Sequence, residues 1–169
     1  SSLARTRGDR IALVGRNGCG KSSLLKLLVG QPIAHTGTLE IGSRLTVSYV
    51  PQDMSFLSGS ADDFAAESEI DLTLFKTILR KLDFKRTQFT KDMSEFSMGQ
   101  KKKVLLARSL CQRANLYIWD EPLNYIDVIS RLQIETLILE YKPTMLFVEH
   151  DEAFVNDIAT KVCRISLNQ

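Results

Sequence analysis

The sequence predicts an α/β fold with a mostly parallel core sheet, and three observations carry that prediction. Two apolar runs, LYIW at 116–119 and TMLFVE at 144–149, are continuous rather than alternating, as in strands that are covered on both faces. Between them, SRLQIETLILEYK at 130–142 has the pattern of a helix. A further strand, RIALV at 10–14, is also followed by a helical segment, at 22–30. Strands and helices in alternation favour a parallel sheet.

The composition describes one globular domain over residues 1–169. Hydrophobic residues make up 44% and charged residues 25%, and the length suffices for one core but hardly for two. The net charge of +2 gives no indication of a nucleic-acid partner. Three cysteines and two histidines without metal-ligand spacing argue against a zinc site or a disulfide framework. No apolar run reaches the roughly 18 residues of a membrane span. The cysteine spacing is that of a reduced, cytoplasmic protein, which is what we expect.

The N-terminal elements alternate as this fold requires. RIALV lies between Gly8 and Gly15 and is predicted to be a buried strand. The helix after it ends at Gly30, a residue typical of helix C-caps. GTLEIG at 37–42 and RLTVSYVP at 44–51 predict two short strands joined by a turn, which would form a small antiparallel part.

A helical subdomain, at about 54–110, is predicted to be inserted into this core. Polar helical segments such as DLTLFKTILRKL at 71–82 occupy its first part. SMGQKKKVLLARSLC at 97–111 then predicts a longer helix with Val104, Ala107 and Cys111 on one face.

The stretch GRNGCGKS, residues 15–22, satisfies the phosphate-binding pattern G-x-x-x-x-G-K-[ST]. Glycines leave the backbone amides unobstructed, so that these amides can converge on phosphate oxygens. Lys21 adds a positive charge, and the Ser22 hydroxyl is a ligand for Mg²⁺. The alternative is a glycine-rich turn that only caps a helix, but the preceding strand and following helix favour the phosphate cradle. The residues predicted to bind ATP are Gly15, Arg16, Asn17, Gly18, Cys19, Gly20, Lys21, Ser22 and Ser23.

Two adjacent carboxylates, Asp120 and Glu121, follow the apolar run LYIW. Burying unpaired charge at the end of a strand is costly, so a partner is expected. Phosphoryl-transfer sites place an acid at the end of a neighbouring strand to hold Mg²⁺, which is the role predicted for Asp120. Glu121 would then act as general base on the attacking water. The alternative is an ordinary surface turn before Pro122.

With VPQ at 50–52, FSMGQ at 96–100 and VEHD at 148–151, the chain resembles an ABC-type ATPase cassette, whose motifs occur in this order. The resemblance implies ATP and Mg²⁺ as cofactors. It also implies catalytic roles for Glu121, Gln52 and His150, with Mg²⁺ held by Ser22, Gln52 and Asp120. A lone histidine after a strand is more often structural. Only the order of its motif among the others indicates that His150 is the switch histidine, which contacts the γ-phosphate in this family.

The resemblance further implies that the signature motif acts on the nucleotide of a partner cassette. Its residues here are Ser97, Met98, Gly99 and Gln100, and the D-loop residues are Leu123, Asn124 and Asp127. The lysines at 101–103 are interpreted as the solvated start of the signature helix rather than as a nucleic-acid patch.

The tail PLNYID, residues 122–127, resembles the second, C-terminal cassette of antibiotic-resistance ABC-F proteins, which protect the ribosome. The implied partners are a second cassette, in the same polypeptide or as a homodimer of the fragment, and the ribosome with its rRNA and tRNA. A fragment is expected because the adenine-stacking aromatic residue would lie upstream of Ser1. The alternatives are the nucleotide-binding subunit of a transporter, a housekeeping ABC-F translation factor, and a non-catalytic nucleotide-sensing module.

Overall fold

The computed structural model describes residues 8–15, 38–41 and 45–165. Within these ranges, the strands are β1 (Arg10–Val14), β2 (Thr38–Ile41), β3 (Leu45–Val50), β4 (Leu116–Asp120), β5 (Met145–Val148) and β6 (Lys161–Arg164). They form one sheet in the order β2-β3-β4-β5-β1-β6. Neighbours pair in parallel except β2 and β3, which are antiparallel. The α/β prediction, with its small antiparallel part, is confirmed.

The central strands are buried on both faces, as their continuous apolar runs predict. Side chains alternate along a strand, so each central strand supplies both faces. Ala12, Trp119 and Phe147 lie in the larger hydrophobic cluster, on the face that carries the helices between β3 and β4. On the opposite face, Leu13 and Val148 belong to a second cluster.

The segment between β3 and β4 is helical, and side-chain caps set where its helices begin. Ser60 accepts a hydrogen bond from the Asp63 amide, and Asp71 accepts one from the Leu74 amide. Ser97 caps the longest helix of the segment. The helices are α1 (Ala61–Glu67), α2 (Leu72–Lys81) and α3 (Met98–Cys111), with 3₁₀ turns at Arg86–Thr90 and Met93–Glu95.

This helical segment shares its core with the sheet. Phe75, Ile78 and Leu79 of α2 are fully buried in the same cluster as Trp119 of β4. Of the three residues predicted to share one face of α3, Val104 and Ala107 are buried and Cys111 is half-buried. The division into a core and an inserted subdomain at 54–110 stays a prediction. In the described parts of the chain, no helix is long and apolar enough to cross a membrane.

The C-terminal third contains α4 (Val128–Tyr141) and α5 (Glu152–Ile158). Helix α4 begins two residues before the predicted start at 130, because Asp127 caps it through the amide of Ser130. It ends at Lys142 in a left-handed conformation, φ 49°. Helix α5 and strand β6 were not predicted. Both are short, and the mostly exposed strand β6 lies at the sheet edge without an apolar run.

Candidate active site

Four polypeptide segments that follow parallel strands meet at one edge of the sheet. Gly15 follows β1, Gln52 lies two residues beyond β3, Glu121 follows β4, and His150 lies two residues beyond β5. Ligands of open α/β sheets bind at the carboxyl ends of the strands. The predicted polar residues after β3, β4 and β5 are therefore brought together.

Asp120 is the most deeply buried carboxylate of this edge, with 1% of its surface exposed. The Gln52 side-chain amide donates a hydrogen bond from Nε2 to Oδ1 of Asp120 at 3.2 Å. Tyr49, on the neighbouring strand, has its pKa raised to about 12, first by burial and then by the charge of Asp120. Tyr49 therefore stays a neutral phenol beside the carboxylate.

Glu121 turns away from the sheet in a left-handed conformation, φ 51°. Its amide donates to the carbonyl of Val148 at 2.9 Å, which ties this turn to β5. Its carboxylate is held from both sides. Oε1 lies 3.0 Å from Nε2 of His150, and Oε2 accepts a hydrogen bond from Nδ2 of Asn124 at 2.7 Å. The predicted base and the predicted switch histidine are thus in direct contact.

The D-loop residues lie between β4 and α4. The Leu123 amide donates to Oε2 of Glu149 at 3.1 Å. Asp127 accepts hydrogen bonds from the amide and the hydroxyl of Ser130. The backbone hydrogen bond from Ser130 is the main cause that lowers the pKa of Asp127, with Lys103 also contributing.

The signature motif forms the N-terminus of α3 and contacts the D-loop of the same chain. Ser97 and Gln100 form a reciprocal capping box. At Gly99, a Cβ would lie 2.6 Å from the carbonyl oxygen of Tyr125. A side chain at this position would displace backbone, so Gly99 is required for the close approach of the two segments.

The expectation that the three lysines at 101–103 are solvated is wrong for two of them. Lys102 is 1% exposed and Lys103 is 8% exposed, while Lys101 is half-buried. Lys103 forms an ion pair with Asp127 at 3.4 Å. This ion pair compensates for the burial of the Lys103 charge.

Lys102 interacts electrostatically with the carboxylates at this end of the sheet. Burial is the main effect on its pKa and lowers it, while the charges of Asp120, Glu121 and Glu149 act in the opposite direction.

The phosphate cradle lies outside the described residues beyond Gly15. This applies to the predicted ATP-binding residues Arg16, Asn17, Gly18, Cys19, Gly20, Lys21, Ser22 and Ser23 and to the predicted helix at 22–30. A cavity of about 590 Å³ is lined by Gly15, Glu149 and His150. A larger cavity, of about 690 Å³, lies at the opposite end of the sheet beside Asn115 and Thr144, away from the carboxylates. The chemistry of the side chains therefore locates the site better than cavity size.

The side chains that could act as ligands here fit Mg²⁺ better than a metal ion that is coordinated by protein side chains alone. Among the described residues, no group of three or more His, Cys, Asp or Glu side chains could hold a metal ion. Mg²⁺ is usually bound through one or two carboxylates together with phosphates and water. Asp120, with the Gln52 side chain beside it, offers ligands of that kind.

Glu149 is a site residue that the sequence analysis missed. It is 5% exposed and accepts hydrogen bonds from the amides of Leu123 and His150. Its signal was available, because a carboxylate directly after the apolar run of β5 raises the same question of compensation as Asp120 does after β4.

The sheet order and its acidic edge define a P-loop nucleoside triphosphatase of the cassette type. The family model described as ABC transporter matches residues 1–124, and the chain belongs to this family of ATP-hydrolysing cassettes. The predicted enzyme class is thereby confirmed.

Curated relatives include two bacterial ATP-binding proteins and a plant member of the F family. The chain is 36% identical to the putative ATP-binding protein YdiF of Bacillus subtilis, over 98% of this chain and 26% of the relative. It is 36% identical to ATP-binding protein Uup of Escherichia coli, over 92% and 26%. It is 30% identical to ABC transporter F family member 2 of Arabidopsis thaliana, over 98% and 25%. The chain thus spans about a quarter of the length of these relatives.

Solved structures give the same fold. The RNase-L Inhibitor matches with a TM-score of 0.77 and 29% identity, over 94% of this chain and 32% of that chain. An archaeal ribosome recycling factor, aABCE1, solved in complex with the ribosomal stalk protein aP1, matches with a TM-score of 0.76 and 28% identity, over 94% and 32%.

Proposed function

We propose that this chain is an ATP-hydrolysing cassette of a cytoplasmic ABC-F protein that acts on the ribosome. The observation that carries the proposal is the hydrogen-bonded pair of Glu121 and His150 beside the buried Asp120, which accepts a hydrogen bond from Gln52. The similarity to an F-family protein of Arabidopsis and to an archaeal ribosome recycling factor supports the ribosomal setting.

In this mechanism, the residues from Gly15 to Ser23 hold the phosphates of ATP. Asp120 and Gln52, together with Ser22, would hold Mg²⁺. When bound, Mg²⁺ neutralises the charge that develops on the phosphates.

Glu121 accepts the proton of the attacking water. Its carboxylate is already oriented, because His150 holds one oxygen and Asn124 holds the other. An oriented base needs little rearrangement during the reaction, which lowers the barrier. His150, which lies beside the same carboxylate, contacts the γ-phosphate when nucleotide is present.

Ser97, Met98, Gly99 and Gln100 act on the nucleotide of a partner cassette. Their position at the N-terminus of α3 supports this role, because free backbone amides at a helix start favour anions. Leu123, Asn124 and Asp127 form the D-loop, which would adjust the base when the two cassettes close.

The finer proposal is that this is the second, C-terminal cassette of an antibiotic-resistance member. The sequence PLNYID supports it, since this D-loop resembles that group. In such a protein, closure of the two cassettes with ATP would bind the ribosome, and hydrolysis would release it. Bound in this way, the protein would keep drugs from the peptidyl-transferase centre.

Replacing Glu121 by Gln tests the ATPase cycle on the ribosome. The amide keeps the shape of the side chain but cannot accept a proton, so binding continues while hydrolysis stops. We expect the full-length Glu121→Gln protein to co-sediment with ribosomes in Mg²⁺-ATP, while the wild type is released. The control is Glu140→Gln, on the exposed side of α4, which should behave as wild type. Equal release of the Glu121→Gln and wild-type proteins, or co-purification with a membrane subunit instead of ribosomes, would contradict the proposal.

Drug susceptibility tests the finer proposal separately. Expression of the full-length protein in a sensitive bacterium should raise the inhibitory concentration of a lincosamide, streptogramin A or pleuromutilin at least fourfold. The Glu121→Gln protein should not confer this resistance, because a protein that stays on the ribosome blocks translation. Unchanged susceptibility, together with ATP-dependent ribosome binding, would indicate a housekeeping translation factor.

A further inference from the structure

Glu149 makes two hydrogen bonds that connect the residues around the catalytic base. Its Oε1 accepts from the backbone amide of His150 at 2.9 Å, and its Oε2 accepts from the backbone amide of Leu123 at 3.1 Å. These two amides belong to different segments, one following β5 and the other within the D-loop. A single buried carboxylate therefore joins the D-loop to the segment of the switch histidine.

Glu121 joins the same two segments through side chains. Its Oε1 contacts Nε2 of His150, and its Oε2 accepts from Nδ2 of Asn124, the neighbour of Leu123. Together with the backbone of the two segments, these hydrogen bonds form a closed ring. Glu149 holds the backbone of His150 and that of Leu123, the neighbour of Asn124. The side chains of His150 and Asn124 in turn orient Glu121.

Both oxygens of the Glu149 carboxylate have hydrogen-bond donors. Its side chain is almost fully buried, and a buried polar group without a partner is costly. The amides of His150 and Leu123 satisfy one oxygen each.

We propose that Glu149 is a positioning residue for ATP hydrolysis, which sets the orientation of Glu121 by holding the D-loop and the switch-histidine segment together. This inference rests on the proposed function, because it assigns Glu149 a role in the reaction that Glu121 catalyses. Glu149 itself contacts neither water nor phosphate in this role. It acts through His150 and through Asn124.

The first test replaces Glu149 by Gln in the full-length protein. Glutamine keeps the size of the side chain but has one acceptor oxygen, so one of the two amide bonds is lost. We expect kcat for ATP to fall about tenfold or more, while KM for ATP changes less than twofold. The melting temperature with and without Mg²⁺-ATP reports folding and binding independently of turnover. The matched control is again Glu140→Gln, an exposed glutamate on α4, which should leave kcat and KM unchanged.

A double-mutant cycle with Asn124→Ala separates positioning from general destabilisation. Asn124 is exposed, so its truncation is compatible with folding. If Glu149 acts through the orientation of Glu121, the two losses in kcat overlap. Glu149→Gln should then cost less than threefold in the Asn124→Ala background. Hydrogen exchange of either the Leu123 or the His150 amide, whichever loses its acceptor, should accelerate at least tenfold in Glu149→Gln, while amides within β4 stay protected.

The outcomes distinguish the two claims. If the wild type hydrolyses ATP and Glu121→Gln abolishes hydrolysis, but Glu149→Gln retains full kcat, the positioning role is overturned and the proposed function stands. Losses in kcat that multiply fully in the double variant also overturn it, as does a Glu149→Gln protein whose only defect is a lower melting temperature. Absence of ATPase activity in the wild type would overturn both claims.

Discussion

Glu121 occupies a left-handed backbone conformation, φ 51°, where β4 ends and the D-loop begins. For a residue other than glycine this conformation costs on the order of 1 kcal/mol and persists only where surrounding contacts hold it. Here its amide bonds to β5, and its carboxylate bonds to Asn124 and His150. This left-handed backbone conformation turns the carboxylate out of the sheet and towards the switch histidine, His150.

Single residues were predictable where a polar side chain follows an apolar strand. Asp120 ends the apolar strand β4, and its role was inferred from that position. Gln52 and His150 were assigned through the resemblance of VPQ and VEHD to the motifs of the family. The burial of Lys102 could not be inferred. Whether a lysine near the start of a helix is solvated depends on the surface against which that helix packs, and this surface comes from segments that are distant in the sequence.

Gly99→Ala is predicted to disturb the contact between the signature motif and the D-loop. The added Cβ would lie 2.6 Å from the carbonyl oxygen of Tyr125, so backbone must move. We expect a loss of about 1–3 kcal/mol in the free energy of unfolding, as for other overpacked sites. Chemical denaturation measures it. Met98→Ala, at the exposed neighbouring position, should change stability by less than about 0.5 kcal/mol. Equal stability of the Gly99→Ala and wild-type proteins would show that the two segments are not in close contact.

At the scale of elements, helix starts were predictable to within a few residues and the last two elements were not. A helix was predicted over 97–111, and α3 begins at Met98 with Ser97 as its cap. Helix α4 begins earlier than its apolar pattern indicates, because Asp127 provides the cap. Its first residues, Val128 and Ile129, are exposed and so are not part of the buried face of the helix. Strand β6 carries Lys161 and Arg164 and is fixed by pairing with β1, which no local pattern reveals.

The cap of α4 makes a prediction about pH. The pKa of Asp127 is lowered by its hydrogen bonds to Ser130 and by Lys103, so the ionised form stabilises the folded state. This contribution is complete above the unfolded pKa near 3.8 and is lost as pH falls through the lower folded value. Asp127→Asn keeps a capping oxygen but removes the charge.

We therefore expect Asp127→Asn to lower the free energy of unfolding at pH 7 by less than about 1 kcal/mol, because the carboxylate is more than half exposed. The difference from wild type should shrink as pH decreases from 5 to 3, in urea titrations at each pH. A difference that is independent of pH would show that the charge of Asp127 contributes nothing.

At the scale of the whole molecule, the parallel character of the sheet was predictable and the strand order was not. Apolar runs show that strands are covered on both faces, but they do not specify neighbours. The order places β4 and β5 side by side and brings β1 next to β5, across most of the chain length. This pairing is what brings Asp120, Glu121 and His150 to a common edge.

The chain spans about a quarter of the length of its curated relatives. Its signature motif, at 96–100, is far along the sequence from the phosphate cradle at 15–22. In the proposed function, a complete site combines the cradle of one cassette with the signature motif of another. Turnover is therefore a property of the paired cassettes in the full-length protein.

The most direct test of the central claim is a single-turnover measurement of phosphate release from Mg²⁺-ATP by the full-length protein. To assign the result to this chain's base, the equivalent glutamate of the other cassette is replaced by glutamine in both proteins that are compared. The protein with Glu121 intact should release phosphate from one site. The protein with Glu121→Gln should bind ATP with a similar Kd and release phosphate at least a hundredfold more slowly, as expected for loss of a general base. Equal release rates with and without Glu121 would contradict the account.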